Sequence, residues 1–410
     1  MRFEPYSQAF AADPYPVYAH LRESTPVFHD PAFGMTFLTR YRDILDVLTD
    51  RRFGRARPGE ARPGQARPYE ARPAESGRDA AQRSLPYYDR YVRRNLLETE
   101  GALHRRLRRQ LAAGLNPKRV GELALAVQGI AGELVDELDT GTGFDFIAEL
   151  AEPLPVIVIA TLLGWPDDQR HRLRAWSADI VRLYEKDASY DDATRAELAS
   201  REFATMLQSL ADDRKSRPQG DLISELVSFE TETGDLSRDE LIASCMLLLN
   251  AGHEATVNAA GNGMLALLRH PDALGHLRKQ PDIIDSAVEE MLRYDPPLHL
   301  FHRFATEDAT VAGHDFRAGD TLGLLYGSAN RDPDAFDNPD VFDIRRQPNR
   351  HLAFGAATHF CLGAALARLE LRTLFSALFA EATRFELLES QPEYRTGLVF
   401  RGLKRLMVRF

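Results

Sequence analysis

One long helical segment constrains the fold of this 410-residue chain more than any other feature. Ser237 and Glu240 have the spacing of a capping box, and helical periodicity continues from there to about His270, where Pro271 ends it. About thirty residues at 1.5 Å each give a helix of roughly 50 Å, which crosses an entire domain. Because its middle is apolar on most faces, we predict a buried central helix.

Three glycines interrupt this apolar segment, at Gly252, Gly261 and Gly263. A glycine inside a helix costs about 1 kcal/mol relative to alanine. Their presence predicts either the close approach of something large or a local kink.

Helical patterns also dominate the rest of the chain. Helices are predicted at residues 15–22, 41–48, 98–113, 120–139, 144–163, 167–185, 193–217, 222–229 and 282–294. Short strands are predicted at residues 27–28, 35–38, 301–305, 310–311, 321–326 and within 385–410. Strands and helices do not alternate as in a Rossmann-type sheet, so the pattern predicts a mainly α fold with small β-sheets, with residues 1–410 forming one domain.

Residues 56–75 are four copies of a pentapeptide that begins Ala-Arg-Pro. A period of five fits neither a helix nor a strand, and a proline in every copy removes amide donors. The repeat predicts a solvated loop within the domain; a lid or a partner-binding segment is the alternative.

The charge and cysteine content narrow the function classes. The chain has 51 basic and 61 acidic residues, a net charge of −10, which disfavours nucleic-acid binding. Its two cysteines cannot form a disulfide framework and are typical of a reducing compartment. We see neither a secretory signal nor an apolar run long enough for a membrane anchor, and therefore expect a cytoplasmic protein.

Cys361 is the residue with the clearest chemical potential. It follows a turn-forming stretch, residues 354–361, and precedes a helix predicted at 362–379, so the helix N-terminus favours its thiolate. Gly355 and Gly363 allow backbone to approach a flat ligand, and Phe354 can shield the sulfur. Taken alone, the loop is also compatible with a buried, inert cysteine or with a redox-active one. Cys245, on the apolar central helix, is predicted to fill core.

The same segment resembles the signature of the cytochrome P-450 family, Phe-Gly-x-Gly-x-His/Arg-x-Cys-x-Gly. The matching residues are Phe354, Gly355, His359, Cys361 and Gly363. Ala357 stands where the family usually has its second glycine, so this loop must accept a methyl group or a slightly altered turn. The resemblance implies the P-450 fold, with the long helix over the haem, and haem b with Cys361 as the iron ligand.

Three further motifs extend the resemblance along the chain. Glu290-x-x-Arg293, followed by Pro-Pro, together with Arg346, is similar to the family's buried network that holds the haem loop. The resemblance implies contacts with the haem propionates from His104, Arg108, Arg303 and His359. It also assigns oxygen binding and proton delivery to Gly252, Glu254, Ala255 and Thr256. Ala255 stands at the usual alcohol position, and Thr256 lies one residue further on.

The resemblance implies a monooxygenase that inserts one oxygen atom from O2 into an organic substrate. Electrons would come from a separate ferredoxin or flavodoxin with its reductase, which Arg105, Arg106 and Arg109 are candidates to dock. Because Ala255 lacks a hydroxyl, a substrate hydroxyl with water, or Thr256, would complete the proton relay. Peroxide use, coupling or dehydration are alternatives, as is a non-catalytic haem sensor. The chain lacks the paired Cys/His spacing that a zinc site needs.

The resemblance also implies a substrate pocket lined by residues 78–97, residues 168–185, the central helix and residues 298–301. Leu298, His299, Leu300 and Phe301 suit a mostly apolar small molecule with a polar handle. His299 is either a hydrogen-bond partner of the substrate or a solvated loop residue.

Overall fold

Helices form most of the structure, a computed structural model that describes residues 3–56, 84–139, 141–185, 187–381 and 384–410. The α-helices of these residues are α1 (Gln8–Ala12), α2 (Tyr15–Ser24), α3 (Tyr41–Thr49), α4 (Gly101–Gly114), α5 (Pro117–Asp136), α6 (Pro153–Leu163), α7 (Arg170–Val181), α8 (Tyr190–Ser216), α9 (Leu222–Ser228), α10 (Arg238–Arg269), α11 (Pro271–Lys279), α12 (Ile284–Tyr294), α13 (Tyr326–Ala329) and α14 (Ala364–Glu381). Apart from Ala56, the pentapeptide repeat lies outside the described residues.

The strands are short and form small sheets. They are β1 (Val27–Asp30), β2 (Met35–Leu38), β3 (Phe53–Gly54), β4 (Phe144–Asp145), β5 (Leu300–Ala305), β6 (Ala309–Val311), β7 (His314–Phe316), β8 (Thr321–Leu325), β9 (Glu386–Leu387) and β10 (Met407–Arg409). The largest sheet has the order β1-β2-β8-β5-β3, and only its β2–β8 pair is parallel. The predicted mainly α fold with small β-sheets is confirmed.

The central helix α10 forms as the sequence predicts, including its capping box. The Glu240 amide donates to Ser237 Oγ (3.3 Å), and the Ser237 amide donates to Glu240 Oε2 (2.9 Å). Close approach, and not a kink, explains two of its glycines. A Cβ at Gly261 would lie 2.5 Å from Ile147, and a Cβ at Gly263 would lie 2.7 Å from the Met291 sulfur.

The chain divides into two compact units. Unit 1 comprises Met1–Gly54, Val120–Pro155 and Ala255–Phe410; unit 2 comprises Arg55–Arg119 and Val156–Glu254. The core of unit 1 has one cluster around the five-stranded sheet and helix α3, which includes Ile44, Leu322 and Leu324. A second cluster joins Tyr18 and Phe37 to the start of β5.

Unit 2 is built on the packing of α7 against α8. The rings of Trp176 and Phe203 stack with centroids 5.2 Å apart, and Trp165 meets both edge-on. Cys245 is fully buried, as predicted, and burial raises the pKa of its thiol to about 12.

The prediction of one helix over residues 144–163 is wrong in its first part. Phe144 and Asp145 form β4, which pairs with β10 near the C-terminus. A π-helical turn, Ile147–Ala151, follows, and α6 begins at Pro153. The pairing partner is more than 250 residues away in sequence, which a local pattern cannot reveal.

Candidate active site

The Cys361 loop in unit 1 is closed by backbone hydrogen bonds. The Cys361 amide donates to the Phe354 carbonyl (2.9 Å), and the Gly355 amide donates to the Leu352 carbonyl (2.9 Å). A 3-10 turn, Ala357–His359, lies between them, and α14 begins three residues after the cysteine. Cys361 is exposed. The loop therefore presents a thiol at its surface, close to the N-terminus of a helix.

Ala357 shows how the loop accommodates a residue other than glycine. Its φ is +53°, in the left-handed region, and Gly355 has φ +67°. The loop therefore keeps a conformation suited to glycine and accepts the methyl group, the first of the two outcomes that the sequence left open.

The residues predicted to contact haem propionates fall in both units. His359 shares the Cys361 loop, and Arg303 is a buried residue of β5 in unit 1. The Arg303 guanidinium donates to the His302 carbonyl (3.0 Å). In unit 2, His104 is buried on α4, and Arg108 is half-buried one turn further on. Each unit thus holds one arginine and one histidine of this set.

The surface of α10 is accessible at one place only in its middle. From residue 241 to residue 267, Ala251, Gly252 and Ala255 are the residues that are not buried. They are spaced at i, i+1 and i+4, which puts them on one side of the helix. Glu254 and Thr256 are buried. Packing also favours glycine at position 252, because a Cβ there would lie 3.1 Å from Ile159.

Glu290 is the centre of a buried ion cluster in unit 1. Arg293 binds it with two hydrogen bonds (2.7 and 2.8 Å), and Arg346 Nε donates to it at 3.1 Å. The Asp343 amide (2.8 Å) and the Asn349 side chain (3.1 Å) donate to the same carboxylate. Glu290, Arg293 and Arg346 are the three residues that the sequence motifs single out.

Arg293 connects this cluster to the segment that precedes the Cys361 loop. It donates to the carbonyls of Asn330 (2.9 Å), Pro339 (2.8 Å) and Val341 (3.1 Å). The Leu352 amide, in turn, donates to the Asn330 side chain (2.7 Å). The ion cluster therefore fixes a segment without helix or strand through backbone carbonyls.

The predicted pocket residues 298–301 have mixed surroundings. Leu300 is buried in the cluster with Tyr18 and Phe37, whereas Leu298 and Phe301 are half-buried. His299 is 2% exposed, so its interpretation as a solvated loop residue is wrong. Its Nδ1 is 3.0 Å from the Tyr18 hydroxyl, and burial lowers the pKa of its ring to about 4. His299 is thus a neutral residue of the core.

The three arginines proposed for docking an electron donor differ in exposure. Arg105 and Arg109 are exposed on α4. Arg106 instead binds Glu240 with two hydrogen bonds (2.6 and 3.1 Å). It therefore holds the start of α10.

Sequence reasoning missed a second ion cluster that lies beside the Cys361 loop. Arg368 on α14 binds Glu289 on α12 through two hydrogen bonds (2.5 and 2.8 Å). His351 Nε2 lies 3.1 Å from the same carboxylate. Burial raises the pKa of Glu289, but the hydrogen bonds from Arg368 and His351 outweigh it and lower the pKa to about 2. The only sequence signal was an acidic residue next to Glu290.

A third cluster, also missed, surrounds Asp295 at the end of α12. Its carboxylate accepts hydrogen bonds from Arg401 (2.6 Å), Tyr15 (2.5 Å) and Tyr394 (2.9 Å). Burial raises the pKa of Asp295, but the charge of Arg401 and the surrounding hydrogen bonds hold it well below its ordinary value. These partners come from both ends of the chain.

Comparisons with known proteins identify the class of protein that carries this site. The family model for Cytochrome P450 matches residues 180–396. The chain is 34% identical to "Polyketide biosynthesis cytochrome P450 PksS" of Bacillus subtilis, with 100% of this chain and 98% of that protein covered. It is 36% identical to "Cytochrome P450 monooxygenase PikC" of Streptomyces venezuelae, covering 98% and 92%.

A solved structure agrees with these relatives. The P450BioI structure, in complex with an acyl carrier protein that bears hexadec-9Z-enoic acid, superimposes with a TM-score of 0.88. It is 33% identical, and the match covers 98% of this chain and 100% of that one. The chain belongs to the cytochrome P450 family, and it is a monooxygenase that acts on small molecules.

The family implies a haem-thiolate cofactor, and the residues present fit one. An accessible thiol near a helix N-terminus suits an iron ligand. A Cβ at Gly363, two residues after Cys361, would meet no atom within 4 Å, so the loop has open space beside it. Within the residues that the structure describes, no helix is long and apolar enough to cross a membrane.

Proposed function

We propose that the protein binds haem b, with the Cys361 sulfur as the iron ligand, and oxidises a mostly apolar small organic molecule. The observation that carries the proposal is the exposed Cys361 on a loop closed by its own backbone and followed by α14. When bound, the haem supplies the chemistry that activates O2 and inserts one of its atoms into the substrate.

Phe354, Gly355 and Gly363 shape the loop around the sulfur. The Cys361 amide is already committed to the Phe354 carbonyl, which fixes the backbone at the ligand. The Arg368 guanidinium carbon lies 4.4 Å from the centre of the Phe354 ring and holds this shielding side chain. The loop is thus fixed around a sulfur that is exposed and open to a ligand.

Four cationic or titratable side chains are proposed to bind the two haem carboxylates: His104, Arg108, Arg303 and His359. Guanidinium and imidazole groups are the partners that carboxylates favour.

The accessible side of α10 is proposed as the surface that faces oxygen and substrate. Ala251, Gly252 and Ala255 leave it without large side chains. Glu254 is proposed as the acid of the proton relay, and Thr256 is the nearest hydroxyl in sequence. Because Ala255 has no hydroxyl, we propose that the substrate or a water molecule completes the relay. Leu298 and Phe301, both half-buried, suit an apolar substrate.

Electrons are proposed to come from a separate ferredoxin or flavodoxin with its reductase. The exposed guanidinium groups of Arg105 and Arg109, one turn apart on α4, suit an acidic partner. We place this activity in the cytoplasm, where a chain with two cysteines, one of them in the core, keeps its thiols reduced.

The carbon monoxide difference spectrum of the reduced, haem-loaded protein tests this proposal. We expect the red-shifted Soret band that thiolate ligation gives, its loss in Cys361→Ala and its retention in Cys245→Ala. The second variant is a matched control, because it removes the other cysteine of the chain. A thiolate band that survives in Cys361→Ala, or a wild-type protein that does not bind haem, contradicts the proposal.

A further inference from the structure

The Glu289 cluster contains a positive charge, that of Arg368, whose only role so far is to hold the Phe354 side chain. Arg368 lies on α14, seven residues after Cys361, which stands in the loop that leads into this helix. The Arg368 side chain covers the Phe354 ring at 4.4 Å. A cation that stacks on this ring is thus next to the loop that carries the ligand sulfur.

Two residues hold Arg368 in this position. Glu289 binds it through two oxygen atoms, a geometry that fixes the plane of the guanidinium group. His351 Nδ1 accepts a hydrogen bond from the Ala353 amide (3.2 Å), so the proton of a neutral ring is on Nε2 and is donated to Glu289. His351 therefore anchors Glu289 to the start of the Cys361 loop.

Electrostatics connect Arg368 to the sulfur. The pKa of Arg368 is raised, first by its hydrogen bond to Glu289, against the effect of burial, and then by the negative charges of Glu289 and Cys361. The interaction is mutual, because a cation that a thiolate stabilises also stabilises that thiolate. The guanidinium thus lowers the tendency of the sulfur to give up electron density.

We propose that Arg368 is a positioning residue that sets the electron donation of the Cys361 sulfur, and that Glu289 and His351 hold it in place. The inference rests on the proposed haem binding and names a control of the iron's reduction potential within it. A positive charge near the iron favours the reduced state, so Arg368 raises the potential. Glu289, which carries the opposite charge, moderates the effect.

The test is the midpoint reduction potential of the haem-loaded protein, measured by spectroelectrochemical titration. We expect Arg368→Gln to lower the potential and Arg368→Lys, which keeps the charge, to stay closer to the wild-type value. Arg372→Gln is the matched control: it removes the same charge one turn further along α14, where Arg372 is 3.6 Å from Asp285. We expect this control to leave the potential unchanged.

A second variant keeps the proposal testable if Arg368→Gln loses haem. Glu289→Gln removes the negative charge but leaves an oxygen that accepts from Arg368, so the potential should rise. Equal shifts in Arg368→Gln and Arg372→Gln, an unchanged potential in Arg368→Gln, or a fall in Glu289→Gln would overturn the inference. The carbon monoxide spectrum separates the two proposals, since a thiolate band with an unchanged potential contradicts this one alone.

Discussion

Ala357 is a residue of the candidate site at which the sequence and the backbone conformation disagree. Its φ of +53° is one that a residue with a Cβ adopts at a cost of about 1–2 kcal/mol. The turn that surrounds it, closed by the Cys361 amide on Phe354, imposes this conformation. Strain of this kind persists only where the neighbouring structure requires it.

We expect Ala357→Gly to raise the free energy of unfolding by roughly 0.5–1 kcal/mol, because the relief of strain exceeds the entropy that glycine adds to the unfolded chain. Ala356→Gly is the matched control, since Ala356 has φ −150° and an extended backbone. It should lower the free energy of unfolding by a similar amount. Urea denaturation of both variants measures the difference, and two shifts of the same sign would contradict this account.

Helix α10 shows how one element combines packing with a candidate site. Gly261 and Gly263 let Ile147 and Met291 approach, while Ala251, Gly252 and Ala255 leave one side of the helix accessible. The accessible stretch includes Ala255, which the resemblance to the P450 family predicts to stand at the alcohol position. A hydroxyl placed at residue 255 would therefore project from the same side.

We expect Ala255→Thr to change the fraction of electrons lost to peroxide, because it adds a hydroxyl next to Glu254 on the accessible side of α10. Substrate turnover and peroxide release per NADH consumed measure the effect. Ala259→Thr is a control on the same helix, four residues further on, where the alanine is buried. It adds the same hydroxyl away from the accessible stretch. If Ala255→Thr alters neither quantity, position 255 is not the missing relay.

Unit 1 is assembled from three separate parts of the chain, and Asp295 joins the first part to the last. Tyr15 comes from α2, whereas Tyr394 and Arg401 come from the C-terminal segment. Arg401 also donates to the Ala11 carbonyl (2.6 Å). A buried carboxylate with these partners holds both ends of the chain against the end of α12.

We expect Asp295→Asn to lower the free energy of unfolding by about 3–5 kcal/mol at pH 7, because it leaves the Arg401 charge buried and uncompensated. Tyr15→Phe removes one hydrogen bond to the same carboxylate and should cost about 1 kcal/mol. Denaturant titration of both variants measures this. Equal losses would mean that the charge pair contributes nothing beyond a hydrogen bond.

The same carboxylate adds a pH dependence. Because the folded-state pKa of Asp295 lies below its unfolded value, its contribution is complete above about pH 4 and is lost as the pH falls toward the folded value. In Asp295→Asn, the free energy of unfolding should lack this part of its dependence on acid pH.

Much of the fold and part of the site followed from local sequence. The capping box at Ser237 and Glu240 and the hairpin of β1 and β2 depend on residues that are neighbours in the chain. Glu290 and Arg293 are one helical turn apart, so their pairing also has a local cause. The motif around Cys361 pointed to a loop that the structure closes with backbone hydrogen bonds.

Contacts between distant residues were decided only by the tertiary structure. Glu289 meets His351, 62 residues away, and Arg368, 79 residues away, while Tyr15 meets Asp295 across 280 residues. His299 has the sequence context of a loop, but the packing of Tyr18 and Gly327 against its ring puts it in the core. Helices, turns and caps are fixed by hydrogen bonds within a few residues, whereas the partner of a buried charge depends on which elements pack together.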